Sequence, residues 1–220
     1  METKTSISKR KSVRFFKSKE VPKSVIEEIL IQALRAPSWA NSQPWEFAIV
    51  GGETIKKIRK NYADNFLAKV KYNPEIGEPK WPEPFLSRIK ESSNNLRIAY
   101  GIDPEDKEQQ KMWSLRGYKF FDAPNAIIVH MNKELGFWSM LDLGSIITTI
   151  QLLAIDYGIG CCVQMQMVRW PEILRKYLKI SKENRIIIGI SLGYPDKLEL
   201  IEKYRSKREP LEKISEWHGF

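Results

Sequence analysis

Two short segments of the chain concentrate side chains that could bind a small polar ligand. Residues 36–45 hold Ser38, Asn41 and Gln43, which are compact hydrogen-bonding side chains, together with Trp39 and Trp45, which have flat apolar faces. Prolines at positions 37 and 44 keep this segment out of a helix. It therefore predicts a loop suited to a planar ligand with polar edges, with an ordinary helix-to-strand loop as the alternative. Residues 10–14 place three cations and a hydroxyl within five residues, which alone is typical of a solvated basic arm.

Further motifs accompany these two segments along the chain. The early R-x-S-x-R-F run and the A-P-S-x-x-N-x-Q-P-W loop precede a G-I-G-C-C segment at 158–162, a strand ending in G-Y-P at 193–195, and an R-x-P-L tail at 208–211. In this order and spacing, the chain resembles the nitroreductase family of FMN-dependent oxidoreductases over nearly its whole length. The resemblance implies one nitroreductase-like domain over residues 1–220, with FMN as the cofactor.

Composition and charge favour a soluble globular enzyme over a nucleic-acid-binding protein. The chain has 220 residues, 42% hydrophobic and 29% charged, which fits one domain with a substantial core. Its formal charge is +9, but the cations are interleaved with acids, as on solvated helix faces. No helix-turn-helix, RNP or zinc-finger signature accompanies them, so no nucleic-acid partner is expected. A basic surface does favour the capture of anionic FMN and nicotinamide dinucleotides.

Cysteine usage and hydropathy predict a cytoplasmic protein. The two cysteines, Cys161 and Cys162, are adjacent, which suits neither an ordinary disulfide nor a tetrahedral metal site. The N-terminus has no apolar signal region, and the longest apolar stretch, residues 141–155, is too short and too polar to span a bilayer. The two histidines, His130 and His218, support neither a metal site nor a catalytic triad. No C-x-x-C cluster exists for an iron–sulfur centre, so electrons would come from a diffusible donor, and the flavin would carry out the chemistry.

Hydrophobic periodicity predicts the elements around one sheet. Helices are predicted at Val21–Arg35, from Thr54 onward, at Phe137–Tyr157 and at Pro171–Leu178, with helical patterns over 85–121 broken at 101–104. Strands are predicted at Glu46–Val50, Ala126–Met131, Val163–Met167 and Arg185–Leu192, the last being a β-branched run typical of a central strand. The helix at 137–157 is apolar on most of its circumference, so it must be buried in the monomer or against a second chain.

These elements predict an α+β fold. Pattern alone leaves a flavodoxin-like fold open, but no Gly-rich phosphate loop follows the first strand. The resemblance implies the nitroreductase fold, with a mixed central sheet flanked by helices, in an intertwined homodimer that exchanges its C-terminal tails. Residues 71–121 are expected to form a variable lid or insert, in which the Pro-rich part is an ordered loop over the active site or a surface excursion. Residues 196–220 are expected to wrap the partner.

The resemblance also implies a set of cofactor-binding residues. Arg10, Lys11 and Ser12 match the family's phosphate and ribityl segment, and Arg14 matches a cation nearer the pyrimidine side of the ring. Arg208 matches a second phosphate ligand that arrives from elsewhere in the dimer. The isoalloxazine contacts are Ser38, Trp39 and Asn41, often across the interface, with Gln43 either joining them or capping its own loop.

Two further parts of the chain are implied to contact the flavin ring. Lys119 falls where some family members place a lysine beside the flavin edge that becomes negative on reduction, and the alternative is an exposed helix residue. Val163, Gln164 and Met165 match the stretch passing N5 and the dimethylbenzene side, where many relatives carry smaller residues. The adjacent cysteines are read as small buried side chains, with a redox role as the minor alternative.

The function implied is an FMN-dependent oxidoreductase that takes hydride from NAD(P)H and reduces nitroaromatic, quinone or similar electrophilic acceptors. One open flavin face serving both substrates implies ping-pong kinetics. A second possibility keeps the fold and changes the chemistry, as in reductive dehalogenases of the iodotyrosine type or a flavin-fragmenting enzyme. A third, from another class, is a flavin-binding or nucleic-acid-binding protein without turnover.

Overall fold

The computed structural model describes residues 2–220, which contain eight α-helices and four β-strands. The helices are α1 Thr3–Lys9, α2 Lys23–Ala33, α3 Gly52–Leu67, α4 Phe85–Ala99, α5 Lys107–Tyr118, α6 Ser139–Asp156, α7 Pro171–Tyr177 and α8 Leu198–Glu202. The strands are β1 Glu46–Val50, β2 Asn125–Asn132, β3 Gly160–Gln164 and β4 Asn184–Gly193. The predicted α+β class is confirmed.

The four strands form one sheet in the order β1-β2-β4-β3. Every pair of neighbouring strands is antiparallel. The expectation of a mixed sheet is therefore wrong for these four strands. The parallel contact in the described chain is an isolated bridge between Ser12 and Cys161, beside β3. The β-branched run of β4 lies between β2 and β3, which confirms its prediction as a central strand.

The two faces of the sheet carry separate apolar cores, because successive side chains of a strand point to opposite faces. On β2, Ile127 and Val129 join a core formed with α2 and α6. Ala126 and Ile128 join a second core formed with α3 and α7, around the buried ring of Trp170. An apolar run such as β2 is thus explained by burial on both sides.

Several predicted boundaries need correction. The first predicted helix begins at Lys23, because Pro22 occupies the N-cap position with extended backbone. The third strand covers Gly160–Gln164 and not 163–167, because these residues pair in register with Gly193–Gly189 of β4 and Met165–Val168 form a 3-10 turn. The short helix α1 was not predicted, since its Thr- and Ser-rich sequence has weak helix propensity.

Helix α6 leaves much of its apolar surface uncovered. Its length and mean hydropathy of 1.3 would by themselves allow it to cross a bilayer, but Leu143, Ile146 and Ile150 pack into the core on one side. Phe137, Trp138 and Leu141, at its N-terminal end, are exposed. Trp39 lies beside them, because its main-chain N–H donates a hydrogen bond to the Asp142 carboxylate at 3.1 Å. We call Trp39, Phe137, Trp138 and Leu141 the apolar patch.

The tail divides into two parts. Ile201 of α8 is buried with Val13 and Phe15, so the tail begins packed against its own protomer. Tyr204 extends this contact, because its hydroxyl donates to the Ser92 carbonyl oxygen of α4 at 3.0 Å. After Glu209 the large apolar side chains are exposed: Leu211, Ile214, Trp217 and Phe220. The first part therefore packs on its own protomer, contrary to the expectation that all of residues 196–220 wraps the partner.

Candidate functional site

The segment at residues 10–14 lies along β3, an edge strand of the sheet. The Val13 N–H donates to the Cys161 carbonyl oxygen at 2.9 Å, and Ser12 forms the parallel bridge with the same cysteine. Gly160 permits this approach, because a Cβ at that position would lie 2.6 Å from a methyl carbon of Val13. The segment is thus fixed to the sheet, and the alternative of a solvated arm is wrong.

A cavity of ≈ 870 Å³ lies beside this segment. Its walls come from residues 10–14, from α4, and from α8 with the first part of the tail. They carry seven cationic side chains: Arg10, Lys11, Arg14, Arg88, Arg205, Lys207 and Arg208. We call it the basic cavity. Five of the predicted cofactor ligands line it together: Arg10, Lys11, Ser12, Arg14 and Arg208.

The positive charge of the basic cavity is only partly neutralised. Three of its cations are paired with carboxylates: Lys11 with Glu202, Arg88 with Glu209 at 3.1 Å, and Lys207 with Glu91 at 2.7 Å. Within residues 2–220 the other four have no carboxylate within ion-pair distance: Arg10, Arg14, Arg205 and Arg208. Four arginines without counter-charges, near the Ser12 hydroxyl, match a phosphate group, which takes several charge-assisted hydrogen bonds.

Arg208 reaches the basic cavity from its own chain, and not from elsewhere in a dimer as expected. Its guanidinium donates to the carbonyl oxygens of Ser206 at 3.1 Å and Lys207 at 2.9 Å, which curls the tail around it. Arg88 was missed by sequence reasoning, because α4 lies in a region read only as a variable insert. The contact between α4 and the tail is set by tertiary packing, and no local pattern indicates it.

Arg14 links the segment at 10–14 to the turn that follows α5. Its guanidinium lies 5.8 Å from the ring centroid of Phe121, and its carbonyl oxygen accepts from Arg116 Nη2 at 2.9 Å. Phe121 belongs to three consecutive residues with φ of 59°, 53° and 59°, a rare conformation for residues other than glycine. Lys119 precedes this turn outside the basic cavity and pairs with Asp122 at 3.1 Å.

Tyr100 of the basic cavity lies close to Arg14. Burial raises the pKa of its phenol, while the Arg14 guanidinium opposes the rise through its charge and a hydrogen bond. The phenol is therefore neutral at physiological pH and can donate a hydrogen bond into the cavity.

Three flavin contacts were predicted at the end of β3 and just after it, and one of these residues, Met165, has an exposed side chain. Val163 packs against the core formed with α2 and α6. Gln164 is buried, its amide donates to the Gly117 carbonyl oxygen at 3.1 Å, and its amide oxygen accepts from the Ser191 hydroxyl. Its side chain is committed to the interior. Met165 is 40% exposed and lines a second, apolar cavity.

The loop with Ser38, Trp39, Asn41 and Gln43 lies outside the basic cavity of its own protomer. Within the loop, the Gln43 main-chain N–H donates a hydrogen bond to Ser38 Oγ at 3.0 Å. Trp39 is 79% exposed. Ala40, Asn41 and Gln43 have φ of 46°, 58° and 47°. Such strained backbone costs about 1–3 kcal/mol per residue and is concentrated at ligand sites. The alternative role of Gln43 was to cap its own loop. Its side chain does so with one hydrogen bond, from Nε2 to the Asn41 carbonyl oxygen at 3.3 Å.

Cys161 and Cys162 are buried neutral thiols. Desolvation raises the pKa of Cys161 to about 12 and that of Cys162 to about 11, although Arg14 partly opposes the second shift. Nucleophilic and redox cysteines need accessible thiolates, so these thiols contribute packing. His130 lies in β2, and burial lowers its pKa. Among residues 2–220, no group of three or more His, Cys, Asp or Glu side chains is arranged to hold a metal ion.

An arginine-lined cavity against the edge strand of the sheet is chemically suited to a phosphate-bearing ligand. Residues 7–194 match the nitroreductase family. The chain belongs to that family, which confirms the family predicted from its motifs.

The relatives and the solved structures agree with this assignment. A 4-nitrobenzoate reductase of Nocardioides sp. (strain LMS-CY) is 30% identical over 93% of this chain and 85% of its own length. A 4-nitrobenzoate reductase of Pseudomonas putida is 26% identical over 97% of this chain and 94% of its own length. The crystal structure of the FMN- and NADPH-dependent nitroreductase NfnB from Sphigopyxis sp. strain HMH matches with a TM-score of 0.94 over the full length of both chains, at 24% identity.

Proposed function

We propose that this protein is an FMN-dependent oxidoreductase that takes hydride from NAD(P)H and reduces nitroaromatic, quinone or similar electrophilic acceptors. Family membership and the nitrobenzoate reductases among its relatives support the reaction class. The observation that carries the assignment to this chain is the basic cavity, which Ser12 lines together with four arginines that have no carboxylate partner within residues 2–220. When bound, FMN supplies a ring that accepts a hydride and passes electrons to a second substrate.

The residues of the basic cavity hold the phosphate end of the cofactor. Arg10, Ser12 and Arg208 supply charge-assisted donors, and Arg205 adds a further cation without a counter-charge. Because Ser12 is bridged to Cys161, the phosphate end is fixed relative to β3, along which the ring then extends. The main chain of Val163–Met165 lines that path.

Two cations serve the ring. The Arg14 guanidinium lies over the ring of Phe121, in the turn that follows Lys119, and in the proposed complex these two cations lie beside the flavin ring. Positive charge placed there stabilises negative charge that develops on the cofactor during reduction. Ser38, Trp39, Asn41 and Gln43 complete the ring site from the partner subunit, which agrees with their absence from the lining of the basic cavity of their own chain.

The proposed assembly is a homodimer. The apolar patch and the exposed side chains after Glu209 leave a large apolar area uncovered on one protomer, and such areas mark interaction sites. The second part of the tail wraps the partner, and the interface exceeds about 2,000 Å², as obligate dimers do. The cytoplasm remains the proposed location, with two free, buried cysteines in place of a disulfide.

The test is to follow the flavin absorbance of the purified, FMN-reconstituted protein without oxygen, in each half-reaction separately. Addition of NADPH or NADH should bleach the flavin absorbance, and nitrobenzene or 1,4-benzoquinone should restore it in a second, independent step. The absence of FMN binding would overturn the proposal. Reoxidation by diiodotyrosine alone would favour the dehalogenase chemistry instead. The matched control is the Arg10→Ala/Arg208→Ala protein, which should lose the cofactor and the reaction together.

A further inference from the structure

Two buried polar side chains, Gln164 and Ser191, join the end of β3 to the neighbouring strand β4. Gln164 is 3% exposed and Ser191 is fully buried. The Ser191 hydroxyl donates a hydrogen bond to the Gln164 amide oxygen. We call these two residues the buried pair. Polar groups in a core lower stability unless they are hydrogen-bonded, so the other partners of this pair indicate what it holds in place.

The outer partners of the buried pair both lie in the connection between α5 and β2. Gln164 Nε2 donates to the Gly117 carbonyl oxygen at 3.1 Å, and the Ser191 hydroxyl reaches the Phe120 carbonyl oxygen at 3.0 Å. One hydroxyl proton serves both the Phe120 oxygen and the Gln164 amide oxygen. The Phe120 oxygen also accepts from the Ala123 N–H at 3.1 Å, so it keeps a donor when the proton points to Gln164. The buried pair therefore links this connection to the sheet.

The same connection carries one of the two cations assigned to the flavin ring and contacts the other. Lys119 lies between Gly117 and Phe120 in the chain. The Arg14 guanidinium lies 5.8 Å from the ring centroid of Phe121. The backbone of the connection has three consecutive positive φ angles, and such strain persists only where the surrounding structure holds it. A hydrogen bond from the core to the Phe120 carbonyl oxygen is one such restraint.

On its other side, the buried pair holds the turn that follows β3. Gln164 pairs in register with Gly189 of β4. The turn lies close to that glycine, because a Cβ there would lie 2.5 Å from the Cβ of Met167. The sulfur of Met167 also lies 3.5 Å from the Ser191 hydroxyl oxygen. The main chain proposed to line the path of the flavin ring is thus fixed to the same two side chains as the connection between α5 and β2.

We infer that Gln164 and Ser191 are positioning residues, which fix the end of β3 relative to Arg14 and Lys119 and thereby raise the reduction potential of bound FMN. This inference rests on the proposed function and adds two residues that act on the cofactor without touching it. Positive charge stabilises a reduced cofactor most when it is held in place beforehand, because no reorganisation is then needed. Charge beside the ring is one of the means by which a protein tunes a flavin.

The first test measures the midpoint potential of FMN bound to the protein, by reductive titration against a reference dye. Gln164→Leu keeps a side chain of similar size and removes both hydrogen bonds of the amide. Ser191→Ala deletes a single oxygen atom and covers a folding failure of the first variant. Each should weaken the binding of reduced FMN relative to oxidised FMN about 10-fold, which lowers the potential by about 30 mV for a two-electron couple.

The matched control is Asn184→Leu, at another buried amide of β4. Asn184 Nδ2 lies 2.9 Å from His130 Nδ1, and the residue is 6% exposed. It lies at the opposite end of the strand from Ser191, about 23 Å away in extended backbone. Loss of its hydrogen bond should lower the free energy of unfolding and leave the potential of bound FMN unchanged. An equal fall in potential in the control would mean that any loosening of the core has this effect, and would overturn the inference.

The second test asks whether the two residues act as one unit. The potential shift of the Gln164→Leu/Ser191→Ala protein should be clearly smaller than the sum of the two single shifts, because both substitutions remove the hydrogen bond between these side chains. Additive shifts would contradict a shared network. Unchanged potentials in both single variants would also overturn the inference.

Failure of the proposed function is seen separately in the wild-type protein. It would appear as a protein that does not retain FMN, or whose bound FMN is not reduced by NAD(P)H. The potentials are measured with a chemical reductant, so a donor other than NAD(P)H leaves the test of the buried pair intact.

Discussion

The basic cavity and the loop at residues 36–45 are both rich in polar side chains, but they are held in different ways. The basic cavity is complete within one protomer, with walls from three parts of the chain and ion pairs that join α4 to the tail. The loop is tied by a few local hydrogen bonds and by one from the Trp39 main-chain N–H to Asp142 of α6, carries strained backbone, and exposes Trp39. The difference fits the proposal made above, in which one chain binds the anionic end of the cofactor and the partner supplies a second surface for the planar end.

The largest expected effect comes from two truncations that separate these regions. A chain ending at Pro195 loses Ile201, Arg205 and Arg208, so it should lose both FMN retention and dimerisation. A chain ending at Glu209 keeps the basic cavity and loses only the exposed apolar part of the tail. It should retain the phosphate site but self-associate more weakly. Light scattering and flavin absorbance of the purified proteins measure both properties. A chain ending at Pro195 that stays dimeric and holds FMN would contradict the assignment of the tail.

The next largest effect concerns a single arginine of the basic cavity. Arg10→Ala should weaken FMN binding about 10- to 100-fold, because a hydrogen bond to a charged group contributes about 1.5–3 kcal/mol. Fluorescence titration of the apoprotein with FMN measures the change. Lys9→Ala removes a neighbouring exposed cation and should have little effect. Equal losses in both variants would mean that only the overall positive field matters.

A smaller effect is expected from the loop. Trp39→Ala should change the free energy of unfolding of the protomer by no more than about 0.5 kcal/mol, as at other exposed positions. It should weaken dimerisation by about 2 kcal/mol or more if the indole is buried by the partner. Sedimentation equilibrium distinguishes the two effects. Trp81→Ala, at a half-exposed tryptophan outside the apolar patch, should leave the dimer unchanged.

The smallest effect concerns the strained backbone. Ala40→Gly should raise the free energy of unfolding by up to about 1 kcal/mol, because glycine adopts the left-handed conformation without the Cβ penalty. Ala68→Gly, at the C-cap of α3 with ordinary backbone, should lower it instead. Chemical denaturation of both variants gives the comparison. If Ala40→Gly also weakens FMN binding, the strain serves the ligand site.

Local sequence patterns predicted the fold better than the site. The bounds of β1 were predicted to the residue, because the prolines and glycines around Glu46–Val50 delimit a short apolar run. The strand at Cys161 was placed too late, since its pairing with Leu192 is a long-range property. Arg88 was not recognised, because its role comes from its contact with Glu209, which lies far along the chain in the tail.

The adjacent buried cysteines have a practical consequence. Successive residues of a strand point to opposite faces, so Cys161 and Cys162 cannot easily join each other, and neither thiol reaches the surface. With pKa values of about 12 and 11, both remain protonated in ordinary buffers. The folded protein therefore needs no reductant during storage, and air should neither cross-link its chains nor add oxygen to its sulfhydryl groups.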